Sequence, residues 1–194
     1  ELIPEAELVI FDEAHQLPDI ASQYFGQSLT SRLLFDLCKD CNIVYRSELK
    51  DLAQLGKAAD HLQKTIQDFR LLMGTDGQVR GNLRELFTDQ KVVNGLTKIS
   101  ENIDFLSEVI KKSLGRSEML DKIFERLAEV KNLLKKFGDT TVTGYCYWYE
   151  ANGRSFGLHI TPLTVADKFS EQMKTLQSGW VFTSATLEVG GSFD

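Results

Sequence analysis

At 194 residues the chain suits one ordinary domain, or one domain carrying an insertion. Its 42% hydrophobic and 26% charged residues match globular averages and exclude wholesale disorder. With 28 Asp and Glu against 22 Lys and Arg, the net charge of −6 excludes a nucleic-acid or membrane binder that works through bulk positive charge, so any such contact needs a local basic patch.

The first element is a strand. Leu8-Val9-Ile10-Phe11 is continuously apolar and stops in charge at Asp12-Glu13, the pattern of a strand buried on both faces in a parallel sheet. From about 29 to 137 the apolar spacing becomes helical. Leu34, Leu37, Cys41 and Val44 form one stripe, and Leu52, Leu55, Ala59, Leu62, Ile66, Phe69 and Met73 a second. Leu96, Ile99, Ile103, Leu106 and Ile110 form a third, then Leu120, Ile123, Leu127, Val130, Leu134 and Phe137 a fourth. Ser47 and Ser117 stand where N-caps would, and Gly74, Gly115 and Gly138 where C′ residues would. The Gly-rich stretch 74–82 reads as a loop.

After Gly138 the chemistry turns to strands. Residues 142–149 and 155–161 flank Asn152-Gly153, a hairpin signal. Thr164 to Asp167 has the spacing of a capping box opening a helix to about Leu176, and Trp180-Val181-Phe182-Thr183 is a final short strand. Strands therefore bracket a helical block of about 115 residues.

Chemistry concentrates at the two bracketing strands. A carboxylate at the end of a buried strand, as Asp12 is, suits the Mg²⁺ that bridges nucleotide phosphates, and an adjacent carboxylate, Glu13, reaches the attacking water. Asp-Glu alone also fits a strand end running into a solvated helix. Ala14-His15, together with the small hydroxyl run Thr183-Ser184-Ala185-Thr186 closing the last strand, favours a nucleotide site.

Asp12-Glu13-Ala14-His15 resembles motif II of superfamily-2 helicases, and Ser184-Ala185-Thr186 resembles their motif III. A helical insertion of this length between the two resembles the arch domain of the DinG/XPD family of iron–sulfur helicases. The words DEAHQLPDIASQYFGQSL and WVFTSATL extend the likeness along the chain. The resemblance implies a mostly α, α+β fold: a helical arch with long antiparallel helices, flanked by a few strands of a RecA-like P-loop motor domain. It places residues 1–20 in motor domain 1 with motif II, 21–142 in the arch, 143–187 in the return of motor domain 1, and 188–194 at the link to motor domain 2. The motif II and motif III strands would be parallel neighbours.

The resemblance further implies an ATP- and Mg²⁺-dependent DNA helicase that tracks 5′ to 3′ on single-stranded DNA in repair or replication, with a replication or repair protein as a possible partner. Glu13 would be catalytic, and Asp12 would bind Mg²⁺ and nucleotide. His15, Thr183, Ser184, Ala185 and Thr186 would couple hydrolysis to motion. The chain has no G-x-x-x-x-G-K-[ST] loop, since Gly56-Lys57 is followed by Ala58. In the family that loop and the four cysteines of a [4Fe–4S] cluster lie upstream, so the segment alone is expected to be inactive. With no initiator Met and an abrupt end, it reads as a piece of a longer protein.

Cys38-x-x-Cys41 lies in a helical stripe with no second pair, which argues against a cluster here. Three cysteines point to a reducing compartment, the cytoplasm. No apolar run is long enough for a membrane span, and ELIPEAELVIF lacks the basic start of a signal peptide. Lys111, Lys112 and Arg116 open a basic run through Lys136 that is either a solvated face or a DNA contact. Tyr145, Tyr147 and Tyr149 share a strand face, for packing or for stacking bases, with Tyr147 as the candidate DNA contact. The rival reading of the whole chain is a non-enzymatic helical interaction module whose stripes dock a partner.

Overall fold

A computed structural model describes residues 6–74, 77–175 and 178–184. In chain order the first elements are β1 (Leu8–Phe11), α1 (Leu17–Phe25), β2 (Gln27–Thr30), α2 (Ser31–Ser47), α3 (Ala53–Leu71), β3 (Val79–Asn82) and α4 (Leu83–Leu86). There follow α5 (Gln90–Lys111), α6 (Glu118–Phe137), β4 (Tyr145–Ala151), β5 (Phe156–Pro162), α7 (Ala166–Thr175) and β6 (Gly179–Phe182). The fold is mostly α with two small sheets, as expected. It divides into two compact units. One takes in the chain up to Gly26, Gly144–Cys146 and the chain from Thr161 on, and the other Gln27–Thr143 with Tyr147–Ile160.

In the first unit β1 and β6 pair in parallel, from Leu8↔Gly179 to Phe11↔Phe182, as their motifs predict. Phe11 holds this pair to its helix: its ring lies 5.8 Å from Trp180, 5.6 Å from Phe182 and 6.0 Å from Phe169 of α7. The rings stay partly exposed, so each contributes less than the roughly 1.5–3 kcal/mol of a fully buried side chain. A single 3-10 turn, Ala14–Gln16, joins β1 to α1, where Pro18 sits in the first turn and sacrifices no helical hydrogen bond.

The second unit is built on four long helices, α2 against α3 and α6, α3 against α5, and α5 against α6. All four predicted stripes are buried except Leu52, which is half-buried. Ser117 caps α6 as predicted, its Oγ accepting from Leu120 N at 3.3 Å. Thr30, Asn82 and Asp89 cap α2, α4 and α5 in the same way.

Three expectations need correction. Ser47 is not an N-cap but the last residue of α2, where its Oγ donates to Ile43 O at 2.8 Å. Gly138 ends α6 in a right-handed conformation (φ −67°), whereas Gly74 and Gly115 do take the left-handed one. The stretch 74–82 is not all loop, because Val79–Asn82 forms β3.

β3 completes a sheet of order β2-β5-β4-β3, with β2 and β3 each antiparallel to its neighbour. At the hairpin tip Asn152 N donates to Ser155 O, and Asn152 Oδ1 accepts from Arg154 N and Ser155 N. The side chain thus organises the turn, leaving Gly153-Arg154 as its two central residues. The Asn152 carbonyl accepts from Nε of Arg70, a buried side chain whose Nη1 also donates to Gly74 O at 2.6 Å. Residues 147–160, expected within the motor return, lie in the helical unit.

Candidate active site

The site begins where β1 runs out. Thr183 N donates to Phe11 O at 2.8 Å, and Ala14 N donates to Thr183 O at 3.0 Å, so the parallel ladder continues past both strand ends. This stitching brings residues about 170 apart in sequence side by side.

Asp12 Oδ1 accepts two hydrogen bonds, from its neighbour Glu13 N at 2.9 Å and from Thr183 Oγ1 at 2.8 Å. Both bonds engage Oδ1, and the Asp12 side chain is exposed. Glu13 is the one described non-glycine residue with positive φ, at φ 52° and ψ 44°. That conformation costs about 1–2 kcal/mol for a residue carrying a Cβ, and the Ala14–Thr183 bond just beyond it holds the turn.

The Glu13 carboxylate lies in a triangle with the other two groups. Its Oε2 is 3.2 Å from His15 Nδ1 and 3.5 Å from Ser184 Oγ, and His15 Nδ1 is 2.8 Å from Ser184 Oγ. His15 and Glu13 side chains are about half exposed, so their pairing contributes at most about 1 kcal/mol. The triangle fixes direction more than it adds stability.

An exposed carboxylate such as Asp12 is the kind of ligand Mg²⁺ takes, one or two from the protein with the rest from phosphate oxygens and water. Among the described residues no group of three or more His, Cys, Asp or Glu gathers to hold a metal unaided.

The structure brings together Asp12, Glu13, His15, Thr183 and Ser184; Ala185 and Thr186 lie outside the described residues. Lys111, Lys112, Arg116 and Tyr147 belong to the helical unit. The surroundings of two of these bear on the expected DNA contact. Tyr147 is buried, with the Arg84 guanidinium 5.3 Å above its ring, so it offers no open face for a base. Arg116 is forked onto both carboxylate oxygens of Asp51, at 2.9 and 2.8 Å. Much of the remaining run is also paired: Lys122 with Glu118, Arg126 with Asp40, Lys131 with Asp104. Lys111 and Lys112 are exposed at the end of α5.

Cys38 and Cys41 are buried in α2. Desolvation pushes both thiols up to about 12, helped by the nearby Asp60 and Asp40 charges. They are packed as protonated thiols, not displayed as thiolate ligands. The Thr183 hydroxyl's hold on Asp12 and the left-handed turn at Glu13 could not be read from spacing, because neither leaves a periodic signal.

No family model matches the chain. It is 66% identical over 194 residues to a protein of Haemophilus influenzae named ATP-dependent DNA helicase YoaA, covering all of this chain and 30% of that protein. The Escherichia coli protein of the same name is 53% identical over 189 residues, 97% of this chain and 30% of its own length. A Bacillus subtilis protein named probable ATP-dependent helicase YpvA is 26% identical over 204 residues. The chain is thus homologous to one segment of these proteins, spanning 30% of their length. A solved structure of S. tokodaii Xpd4 overlaps 99% of this chain and 37% of that chain at 19% identity, with a TM-score of 0.41, too low to support a shared fold.

Proposed function

We propose that this chain is the motif II to motif III segment of an ATP-dependent DNA helicase of the DinG/XPD type. The observation that carries the reading is the Asp12-Glu13 turn at the end of β1, tied by hydrogen bonds to Thr183 and Ser184 beyond β6. The homology to proteins named DNA helicases supports it. Residues 1–20 and 143–187 would belong to motor domain 1 and 21–142 to the arch, with 147–160 of the motor return folded into the helical unit. The phosphate loop, the cysteines of a [4Fe–4S] cluster and the second motor domain would be supplied by other parts of the whole protein. That protein would act in the cytoplasm on single-stranded DNA, 5′ to 3′, alongside repair or replication proteins.

A Mg²⁺ ion held beside the nucleotide would supply charge neutralisation at its phosphates. The Asp12 carboxylate would hold it, steadied by the Thr183 hydroxyl on Oδ1. Glu13 orients the attacking water and accepts its proton. Ser184 reaches Glu13 and His15 from the end of β6, so a shift of Ser184 moves the base. That link is the coupling route.

Glu13→Gln in the full-length protein tests this. The amide keeps the shape but cannot take a proton, so nucleotide binding stays near wild type while DNA-stimulated ATP hydrolysis falls at least about a hundredfold, the lower end of a general base's usual contribution. Near-wild-type turnover would refute the assignment.

A further inference from the structure

Far from the nucleotide motifs in sequence, the β4–β5 hairpin tip holds a side chain next to a backbone amide that can attack it. Asn152 and Gly153 are exposed, and a Cβ placed on Gly153 would meet nothing within 4 Å, so no atom crowds the residue that supplies that amide. Asn152 Oδ1 accepts from Arg154 N at 3.0 Å and from Ser155 N at 2.9 Å. These bonds fold the side chain back over its own peptide and keep Cγ on the side of Gly153 N. Behind the turn Arg70 is buried, and its Nε donates to the carbonyl oxygen of that same peptide. Its Nη1 is anchored on Gly74 O at 2.6 Å. Two amides thus hold the side-chain oxygen, and a cation holds the backbone oxygen beside it.

We propose that Asn152 is a self-modifying site, at which the folded hairpin promotes the deamidation of its own tip. Gly153 N loses its proton to water and attacks Asn152 Cγ, forming a new C–N bond while the carbonyl electron pair moves to Oδ1. The adduct collapses, the bond from Cγ to Nδ2 breaks, and the amide leaves as ammonia with the proton returned. A five-membered succinimide remains. Water then opens the ring on one of two sides. Breaking the bond from Cγ to Gly153 N gives aspartate, and breaking the bond from the Asn152 backbone carbonyl carbon gives an isoaspartyl link. Water is the co-reactant in both.

The held oxygens are the two on which charge develops. Loss of the Gly153 proton places negative charge on the Asn152 carbonyl oxygen, where Arg70 donates. Attack places it on Oδ1, where the amides of Arg154 and Ser155 donate. The buried Arg70 is what separates this turn from an ordinary Asn-Gly hairpin tip. It also receives the product: in the isoaspartyl form the carbonyl that it holds becomes a free carboxylate, an ion pair in place of a hydrogen bond. The tip therefore gains a negative charge as the molecule ages.

The test incubates the full-length protein at neutral pH and physiological temperature. After digestion, mass spectrometry follows the peptide carrying residue 152, with the isoaspartyl and aspartyl forms separated by chromatography. A synthetic peptide of residues 148–158 gives the rate without the fold. The folded protein should react roughly tenfold faster than the peptide, less than the hundredfold or more of one donor in an enzyme's oxyanion hole, because this tip is open to water. Arg70→Met should fall to the peptide rate, and Arg70→Lys, which keeps the charge but cannot fork, should lie between. Near-ultraviolet circular dichroism checks that tertiary structure is kept, and Arg70→Lys carries the comparison where Arg70→Met loses it. A folded protein that reacts no faster than the peptide overturns the proposal, since the turn would then protect Asn152. Folded Arg70 variants that react at the wild-type rate overturn it equally.

Discussion

Thr183→Val separates an orienting role from a structural one. The substitution deletes the hydroxyl that donates to Asp12 Oδ1 at 2.8 Å, while the backbone bonds from Thr183 N to Phe11 O and from Ala14 N to Thr183 O remain. The β1–β6 pair should therefore stay in register. Asp12 keeps only the bond from Glu13 N. A hydrogen bond to a charged group contributes roughly 1.5–3 kcal/mol when buried, but both residues are exposed, so about 1 kcal/mol is the fitting figure. That is about a fivefold effect on an equilibrium. In the full-length protein, the Mg²⁺ concentration for half-maximal hydrolysis should rise about fivefold, with the rate at saturating Mg²⁺ near wild type. Binding of a fluorescent nucleotide should show the same shift in Mg²⁺ dependence, and Thr183→Ser should restore it. A lowered maximal rate with unchanged Mg²⁺ dependence would refute the orienting role.

Arg70→Met, which keeps the stem but loses both carbonyl bonds at the hairpin tip and Gly74, should destabilise the chain by about 3 kcal/mol in urea unfolding, with Arg70→Lys intermediate because ammonium cannot fork. Burial holds the His159 imidazole below its usual 6.5, with Glu150 opposing the shift. The unfolded chain therefore takes up a proton that the folded ring resists, so this stability is intact above about pH 6.5 and is lost as pH falls through that range. Urea midpoints should drop less between pH 7.5 and 5.5 (about a unit either side of free His) in His159→Gln than in wild type, and parallel losses would contradict the assignment. Iodoacetamide should label exposed Cys146 quickly and the buried, protonated Cys38 and Cys41 only on unfolding, as read by mass spectrometry.

The helices were legible because their apolar stripes are amphipathic and long, from Leu34 to Val44 through to Leu120 to Phe137. The pairing of β1 with β6 was legible because short apolar runs that end in chemistry occur where parallel strands end. β2 and β3 were not legible. Gln27-Ser28-Leu29-Thr30 and Val79-Arg80-Gly81-Asn82 are four-residue edge strands whose pairing comes from β5 and β4, not from their own composition. Ser47 misled because a helix-capping residue and a hydroxyl bonded back into the last turn look alike in sequence. At the site, Asp12, Glu13 and His15 could be named from order alone. The basic run stayed open between a solvated face and a DNA contact, since counting cations cannot show which of them already have an acid beside them.

The register of β2 on β5 bears on how such a chain folds. Gln27 lies opposite Ile160, so the first and last residues of the helical unit are neighbours. Viewed from β1 and β6, the whole helical unit is then a short bridge. Once it has folded, the segment that must be closed for those two strands to meet shrinks about fivefold, lowering the chain-closure entropy by about 1.4 kcal/mol. The helices rest on contacts local in sequence and can form before β6 has left the ribosome. On that order of events, Asp12 and Thr183 are among the last residues to find each other, and a stall within α5 or α6 would leave the helical unit incomplete and the nucleotide site unbuilt.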